Sequence, residues 1–301
     1  MNRIISLLPA GTEIVAALGA FDTLVAVTHE CDYPDGVARL PRVTASAVNR
    51  DAPSRDIDAD VRCLAESGVP VFALDAQEIV RLAPTVILTQ ALCEVCAVSE
   101  GDVHDIAHFL TPAPAIVRLS GTTLDGVWAD IGNIGKAIGR SNEAASLLES
   151  ISTRLLRVHQ TLKRARARRP RVAVIEWLDP LFSAGHWTPN VVRRAGGIDV
   201  LSEPGAHSVR LTLDQVRDAQ PELLLFAPCG FDVVRAERDA RMLLATDDWS
   251  WARDIESWAL DGNALTSRPG PRLADAVEVM AAIIAPAHLE APPNHYGRKL
   301  H

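Results

Sequence analysis

Short apolar segments of strand length recur along this chain and alternate with amphipathic helical segments, and that alternation constrains the fold more than any other feature. In the first half the apolar runs fall at residues 3–8, 24–28, 71–74, 85–89 and 115–119, with helical stretches at 12–18, 57–67 and 76–82. A strand that leads through a helix into the next strand needs a right-handed crossover, which lays the strands side by side and parallel. The same pattern restarts after residue 170, with runs at 171–177, 199–201, 222–227 and 257–260.

Between the two halves the period changes. Thr122, Thr123, Leu124 and Asp125 read as a capping box opening a helix. Leu124, Val127, Trp128, Ile131, Ile134 and Ile138 then recur at three- and four-residue spacing on one face. A second helical pattern runs through Leu147, Leu148, Ile151, Leu155, Val158 and Leu162 until Pro170 stops it, too long for an ordinary crossover. The halves also echo each other. LDAQEIVRLAPTVILTQ from Leu74 and LTLDQVRDAQPELLLFA from Leu211 both carry a short helix through a proline into an apolar strand. The expected fold is α/β: two Rossmann-like lobes with parallel sheets, joined by a single long helix. The expected division is 1–120 for the first lobe, 121–168 for the helical connector, 169–285 for the second lobe and 286–301 for a proline-rich flexible tail.

Composition narrows the function. With 301 residues, 48% hydrophobic and 23% charged, the chain has the length and apolar content for two folded domains. That excludes general disorder, a collagen-like repeat and a disulfide scaffold. Thirty-eight acidic against 30 basic side chains give a net charge of −8, the wrong sign for a general nucleic-acid binder. The basic run through Lys163, Arg164, Arg166, Arg168, Arg169 and Arg171 sits at a helix C-terminus, where cations are favoured by the dipole. No apolar run is long enough to span a membrane. The stretch 4–8 behind Arg3 is too short for an export signal before Pro9, Gly11 and Glu13 interrupt it. A cytoplasmic chain with reduced thiols is therefore expected, or a periplasmic one if a leader preceding Met1 has been removed.

In an open parallel sheet, ligands bind outside the carboxyl ends of the strands. The chemically distinctive residues collect there. His29, Glu30, Cys31 and Asp32 follow the second run, and Cys93 and Cys96 follow the fourth. Glu176, Trp177, His186 and Trp187 follow the first run of the second half; Cys229 and Phe231, then Asn263, Arg268 and Arg272, follow later ones. Cys93 and Cys96 have chelating spacing, and His29 with Cys31 could complete a tetrahedral site for Zn or Fe. Two semi-buried thiols in a turn, or a redox dithiol, are the competing readings. Trp177, Trp187 and Phe231 are platforms for a flat ligand. Trp177 could equally be core, whereas the Gly-His-Trp-Thr-Pro setting of Trp187 favours exposure. Arg268 and Arg272 could pair with ligand carboxylates or phosphates, or simply face solvent. Cys63 reads as core, and His104, His108, His159 and His207 as surface. There is no G-x-S-x-G elbow, P-loop, G-x-G-x-x-G or H-E-x-x-H, and nothing in the spacing of Glu30, Asp32 and Glu176 makes an acid–base pair. The chain is expected not to be an enzyme.

The stretch RIISLLPAGTEIVAALGAFDTLVAVTHECDYP, followed by LAPTVILTQ and SAGHWTPNVVRRAGGIDVL, resembles the substrate-binding proteins for cobalamin, haem and ferric siderophores. These are the helical-backbone, class III relatives of periplasmic binding proteins. LTQALCEVC, EWLDPLF and SRPGPR resemble a cobalamin-binding-like branch. The resemblance runs to about residue 285. It implies two α/β lobes on one rigid helix, about 141–167, a ligand between the lobes and little hinge closure. It also implies delivery to an ABC permease through one acidic residue per lobe, at positions matching Gln77, beside Glu78, and Asp214. On this basis the expected function is non-catalytic binding of cobalamin or a related corrinoid. Trp177, Trp187 and Phe231 would flank the ring, with His29, Cys31, Cys93 or Cys96 near its face and Arg268 or Arg272 at its edge amides. Glu30, Asp32, Glu176, His186, Cys229 and Asn263 complete the expected ligand-binding set. The alternative is a metal, haem or ferric-siderophore binder that uses His29, Cys31, Cys93 and Cys96. An enzyme acting on a tetrapyrrole, or using the thiols for redox work, stands third.

Overall fold

A computed structural model describes residues 2–90 and 100–301. They divide into two compact units, Met1–Gly121 with Asp125–Glu149, and Thr122–Leu124 with Ser150–His301.

In the first unit the elements run β1 (Ile4–Ser6), α1 (Pro9–Ala17), β2 (Leu24–Val27), β3 (Thr44–Ser46), α2 (Ser54–Glu66), β4 (Phe72–Leu74), α3 (Ala76–Leu82), β5 (Val86–Gln90), α4 (Glu100–His108), β6 (Ala115–Leu119) and α5 (Leu124–Ala137). Four strands form a parallel sheet in the order β2-β1-β5-β6, with Ile5 opposite Ala26 and Ile87. Ile4, Ile5, Ile87 and Leu88 are essentially inaccessible. Strands covered on both faces by helices read as continuous apolar runs rather than alternating ones. One expectation changes: the run at 71–74 does not join this sheet. It pairs antiparallel with β3 as a separate two-stranded ribbon, Thr44 opposite Leu74. Only four residues long and partly exposed, it lacks the buried aliphatics that a central parallel strand needs.

Helix α6 (Ser141–Ala165) is the long connector helix, 25 residues, and Gly139 (φ +74°) separates it from α5. Its later turns are fastened within the second unit. Arg154 Nε and Nη2 donate to the two carboxylate oxygens of Glu278 at 2.9 and 2.6 Å, and Nη2 also meets Asp275. Those acids lie on the last long helix, and the fork geometry suits two carboxylates better than a lysine would.

The second unit contains β7 (Arg171–Leu178), β8 (Leu181–Ser183), α7 (Thr188–Arg194), β9 (Ile198–Asp199), α8 (Leu213–Asp218), β10 (Leu223–Phe226), α9 (Val233–Leu244), β11 (Glu256–Leu260), α10 (Gly262–Leu265), α11 (Leu273–Ile284) and β12 (Gly297–Lys299). Its sheet runs β12-β11-β10-β7-β8, with β9 also on β7. The central strands are parallel, but β8 and β12 pair antiparallel, so this sheet is mixed rather than wholly parallel. Strand β12 lies within the segment expected to be a loose tail. Trp258 pairs with Lys299, Leu300 is buried, and Arg241 Nη1 donates to the Leu300 carbonyl. The prolines after residue 285 conceal a three-residue edge strand too short to show period-two patterning.

The repeated segments become α3–β5 and α8–β10. In each, the residue before the proline is a non-glycine in the left-handed region, Ala83 (φ 42°) and Gln220 (φ 46°). Proline disfavours right-handed helix in the residue ahead of it, so the helix stops there and the chain turns into the strand.

Candidate ligand-binding site

In the first unit the loop after β2 opens with Thr28. His29 is half-buried, its ring 5.3 Å from that of Phe72 on β4. Thr44 Oγ1 on β3 receives the His29 backbone N–H at 2.9 Å, meets Nδ1 at 2.6 Å, and gives its own proton to Thr28 Oγ1 at 2.9 Å. Burial, with Arg50 and Arg42 beside the ring, holds the His29 pKa below its ordinary value. Glu30 is half-buried and Asp32 exposed. Cys31, 3% exposed, turns toward α1 and its Sγ lies 3.1 Å from Thr12 Oγ1. The thiol and the imidazole thus contact different neighbours. Cys93 and Cys96, the other two members of the expected metal set, lie outside the described residues. Among the described residues, no three His, Cys, Asp or Glu side chains gather to hold a metal ion. Cys63, expected in the core, is exposed on α2.

The strand ends of the second unit bring most of the expected residues together. Glu176 and Trp177 fall inside β7, which runs on to Leu178 and is held there by β8, Trp177 opposite Phe182. The Glu176 carboxylate accepts from Ser208 Oγ and, at 3.4 Å, from Gly185 N–H, fastening two loops at once. Its backbone carbonyl receives Cys229 N–H at 2.9 Å, and Cys229 itself is exposed. The Trp177 and Phe231 rings lie 5.3 Å apart at 57°, but Phe231, expected as an open platform, is 4% exposed and the Arg235 guanidinium sits 3.5 Å over its ring. Phe231 carbonyl accepts Asn263 N–H at 3.0 Å, and Asn263 Oδ1 accepts from Arg268 Nη2 at 2.8 Å. Arg268 is 3% exposed, so this arginine is part of the unit's interior rather than a solvent-facing turn residue. Arg272, half-buried ahead of α11, and Arg268 both act on the Asp261 carboxyl. Burial nevertheless pushes the pKa of Asp261 up.

Trp187 departs from expectation. It is 7% exposed, stands at the start of α7 and donates Nε1–H to the Thr266 carbonyl at 2.7 Å. A buried indole usually finds such a partner. The run of small and polar neighbours that suggested a loop is instead the turn that plants α7. His186 adopts φ 52°, its backbone locked by Ala206 and Gly205 at 2.6 and 2.9 Å. Its ring meets the exposed His207 edge-on at 5.1 Å, and its Nε2 is buried with no hydrogen-bond partner. Burial, then the His207 charge, lowers the pKa of His186.

Sequence reasoning overlooked Thr44, Phe72, Ser208 and Arg235. Arg235 had a local signal, because Asp232 caps α9 and i, i+4 spacing sets Arg235 over Phe231. The others come from distant segments and leave no mark in the local pattern.

Residues 4–250 match the family described as Periplasmic binding protein, and the chain belongs to it. A vitamin B12-binding protein of Vibrio cholerae serotype O1 is 24% identical over 282 residues, covering 92% of this chain and 87% of the relative. A periplasmic heme binding protein from Pseudomonas aeruginosa superposes with a TM-score of 0.71 at 19% identity, over 99% of this chain and 97% of that one. A periplasmic vitamin B12 binding protein of Vibrio cholerae gives 0.62 at 21% identity, over 95% and 97%. The expected family and two-lobe α/β fold are thereby established, and family members are binding proteins rather than enzymes. The cytoplasmic expectation is overturned, because the family and these relatives are periplasmic binding proteins. Residues 4–6, in the apolar run that was tested as an export signal, form β1 with Ile4 and Ile5 fully buried. Their length reports on a strand, not on export. No helix among the described residues is long and apolar enough to cross a membrane.

Proposed function

We propose that this chain binds a corrinoid or a closely related metal–tetrapyrrole without chemical change and presents it to an ABC permease. The observation that carries the reading is the half-buried Trp177 at the carboxyl end of β7, its ring packed on the buried Phe231 and beside Asn263 and Arg268. Aromatic faces bury large apolar area at low entropic cost, and guanidinium and amide groups beside them suit the amide or carboxylate arms of such a ring. The similarity to a vitamin B12-binding protein and to a heme binding protein supports the same ligand class. Within the second unit the rest of the proposed ligand set comprises Glu176, His186, Cys229 and Arg272, whereas Trp187 is committed to the interior.

Permease docking would use the equivalent helices α3 and α8. Their acids are already engaged with their own helices. Glu78 is paired with Arg81 at 2.6 Å, and Asp214 with Arg217 at 2.8 Å. A permease arginine would have to displace each of those local partners, a small penalty because exposed pairs contribute about 0.2–1 kcal/mol.

The test is an ultraviolet–visible spectrum with metal analysis on protein purified under reducing conditions, before and after adding cobalamin, with hemin in parallel. A corrinoid spectrum that co-elutes with the protein, and a Trp177→Ala variant at least about tenfold weaker, support the reading. Protein that binds neither compound at micromolar concentration refutes it. Tight hemin binding with indifference to cobalamin moves the ligand from corrin to porphyrin.

A further inference from the structure

The basic run that ends the connector helix is a sequence motif that the ligand site leaves unused. Residues 155–171 carry seven arginine and lysine side chains and no acid, and 180–198, also free of acids, add Arg193 and Arg194. All nine are exposed and belong to the second unit, whose fold gathers them at one end. Gly196, just past α7, backs onto Leu162 of α6, and Gly197 onto Ile284 at the end of α11. Arg169 Nη2 donates to the Gly197 carbonyl at 3.0 Å, and Ile198 N–H to that of Pro170 at 2.9 Å. The C-termini of α6, α7 and α11 therefore meet at the amino ends of the central strands, where β7 starts at Arg171. An open cavity of about 280 Å³ among Arg168, Pro170, Ile284 and Pro286 gives this end an apolar floor.

Helix ends attract cations, but three macrodipoles amount to roughly −1.5 charges and act only over the last turn. Nine cations exceed that need. Arg168 is paired with Glu222, and Arg171 caps the carbonyls of Ala219 and Gln220 beyond α8. Arg157, Lys163, Arg164, Arg166, Arg193 and Arg194 have no ion-pair partner among the described residues. Arg166 moreover closes α6 at φ 48°, a left-handed position that glycine adopts without strain. The cation is kept where the backbone favours glycine. Outside this patch, the remaining 21 of the 30 basic side chains face 38 acids, so charge is sharply divided within the chain.

We propose that this end of the second unit is a docking surface for a bilayer bearing anionic phospholipid, whose phosphate headgroups take up the unpaired cations. The proposal goes beyond the ligand-binding reading and does not depend on which ligand is bound. Each cation near an anionic leaflet strengthens adsorption roughly fivefold, so six unpaired ones suffice for a reversible hold without insertion. A nucleic acid would offer the same phosphate chemistry, but 155–171 and 193–198 contain no Phe, Tyr or Trp on which bases could stack. The family is periplasmic as well, where a membrane surface is at hand. Trp177 lies six residues along β7 from Arg171, about 20 Å away by strand rise. Adsorbed by its amino-end patch, the second unit turns its carboxyl strand ends toward the solution from which ligand is taken.

The experiment sediments the full chain with vesicles of phosphatidylcholine alone, and of phosphatidylcholine and phosphatidylglycerol in equal parts, at low and at physiological salt. The protein should pellet with the anionic vesicles only, and less at the higher salt. The variant Lys163→Glu/Arg164→Glu/Arg193→Glu should bind them at least about a hundredfold more weakly. Arg62→Glu/Arg238→Glu/Arg253→Glu has the same net charge with its changes outside the patch, and should lose only a few-fold. Arg166→Gly relieves the left-handed residue and so folds at least as well as the parent, yet should bind about fivefold more weakly. A loss in that variant is not a folding defect. Equal weakening by the two triple variants, adsorption that ignores phosphatidylglycerol, or no adsorption by the parent at low salt overturns the proposal. So does a DNA duplex that strips the protein from the vesicles at equal phosphate concentration, which makes the patch a nucleic-acid surface. Cobalamin and hemin uptake is read separately on the same samples, so failure here is distinguishable from failure of the ligand-binding reading.

Discussion

Each unit fastens a strand-end loop with a carboxylate, but under different conditions. In the first, Asp130 on α5 is 4% exposed and its Oδ2 accepts Ser120 N–H at 2.9 Å and Gly121 N–H at 2.8 Å, just beyond β6. In the second, half-buried Glu176 on β7 holds Ser208 Oγ and, more distantly, Gly185 N–H. The first clamp satisfies a buried backbone donor, Gly121 N–H, together with the part-buried Ser120 N–H. The second ties together the loops at Gly185 and Ser208, the latter beside the exposed His207. A buried clamp defines the fold, whereas a half-buried one positions the side chains proposed above to meet a ligand.

The backbone packing beside the two clamps gives the largest expected effect. A Cβ on Gly262 would stand 2.1 Å from the Pro228 carbonyl oxygen, and one on Gly121 2.3 Å from the Gly126 carbonyl carbon. Neither obstacle is a flexible side-chain end. Gly262→Ala and Gly121→Ala should each destabilise the protein by about 3–4 kcal/mol in urea titrations, beyond ordinary overpacking. Gly132, with nothing within 4 Å, is the control, and alanine there should be neutral or slightly stabilising in α5. Equal losses at Gly132 and Gly262 would dismiss close backbone approach as the cause.

Removing the clamps themselves comes next. Asp130→Ala leaves the buried Gly121 N–H and the part-buried Ser120 N–H unpaired and should cost about 2–3 kcal/mol, whereas Glu176→Ala should cost about 1 kcal/mol, since water can replace part of what it holds. The informative quantity is the gap between them. If Glu176→Ala proves as damaging as Asp130→Ala, the second clamp is as structural as the first and the contrast fails. Binding should respond in the opposite order, with Glu176→Ala weakening cobalamin or hemin uptake more than Asp130→Ala does.

Asp199 adds a pH dependence that belongs to the second unit. Its Oδ1 caps Leu201 and Ser202 at 2.9 and 3.1 Å, while Oδ2 is buried without a partner, and burial raises its pKa from 3.8 to about 7. The folded state therefore holds the proton more tightly than the unfolded chain. The stability contributed by neutral Asp199 is complete below pH 4 and lost as the pH rises through 7. The distance between the two values sets a ceiling of roughly 4 kcal/mol, and about 2 kcal/mol is expected after local relaxation. Asp199→Asn keeps the capping oxygen and removes the charge. It should stabilise the protein at pH 8 and change little at pH 4, measured by denaturant midpoints at each pH. A parent protein whose midpoint is flat between pH 5 and 8 contradicts this.

How much of this was legible beforehand follows the reach of the interactions. Fully buried runs such as Leu223–Phe226 could be read directly, because a strand covered on both faces leaves an uninterrupted apolar signature. The α3–β5 and α8–β10 units could be read for the same reason, each with its proline. β3, the antiparallel pairing of the 71–74 run with it, and β12 could not, these strands being three residues long with polar or half-exposed members. At the candidate site, Trp177 and Phe231 stood out by residue type near a strand end, but the burial of Phe231 carried no local mark. What surrounds a side chain did not. Trp187 read as exposed because its neighbours are small, yet Thr266, 79 residues away, receives its indole proton. The Thr44–Thr28 chain was equally invisible, since threonine in a short strand carries no local signal of what it will face.

The two half-buried histidines offer the finest comparison and the smallest expected effect. Burial is the main cause that lowers both pKa values, but the second influence differs in kind: arginines act on His29, and the imidazole of His207 acts on His186. Only the second can be removed without touching the interior, because His207 is exposed. In His207→Ala the His186 pKa should move back toward its ordinary value yet stay below it, since burial is the larger cause. His186 contributes stability that is present above the unfolded-state value and lost as the pH falls through its folded value. The variant should therefore lose slightly less stability on acidification than the parent, by well under 1 kcal/mol. A proton NMR titration of the His186 ring reads this directly. Full return to the ordinary value would make His207, not burial, the dominant cause. No movement would mean that water screens the pair completely and that the edge-on contact is packing alone.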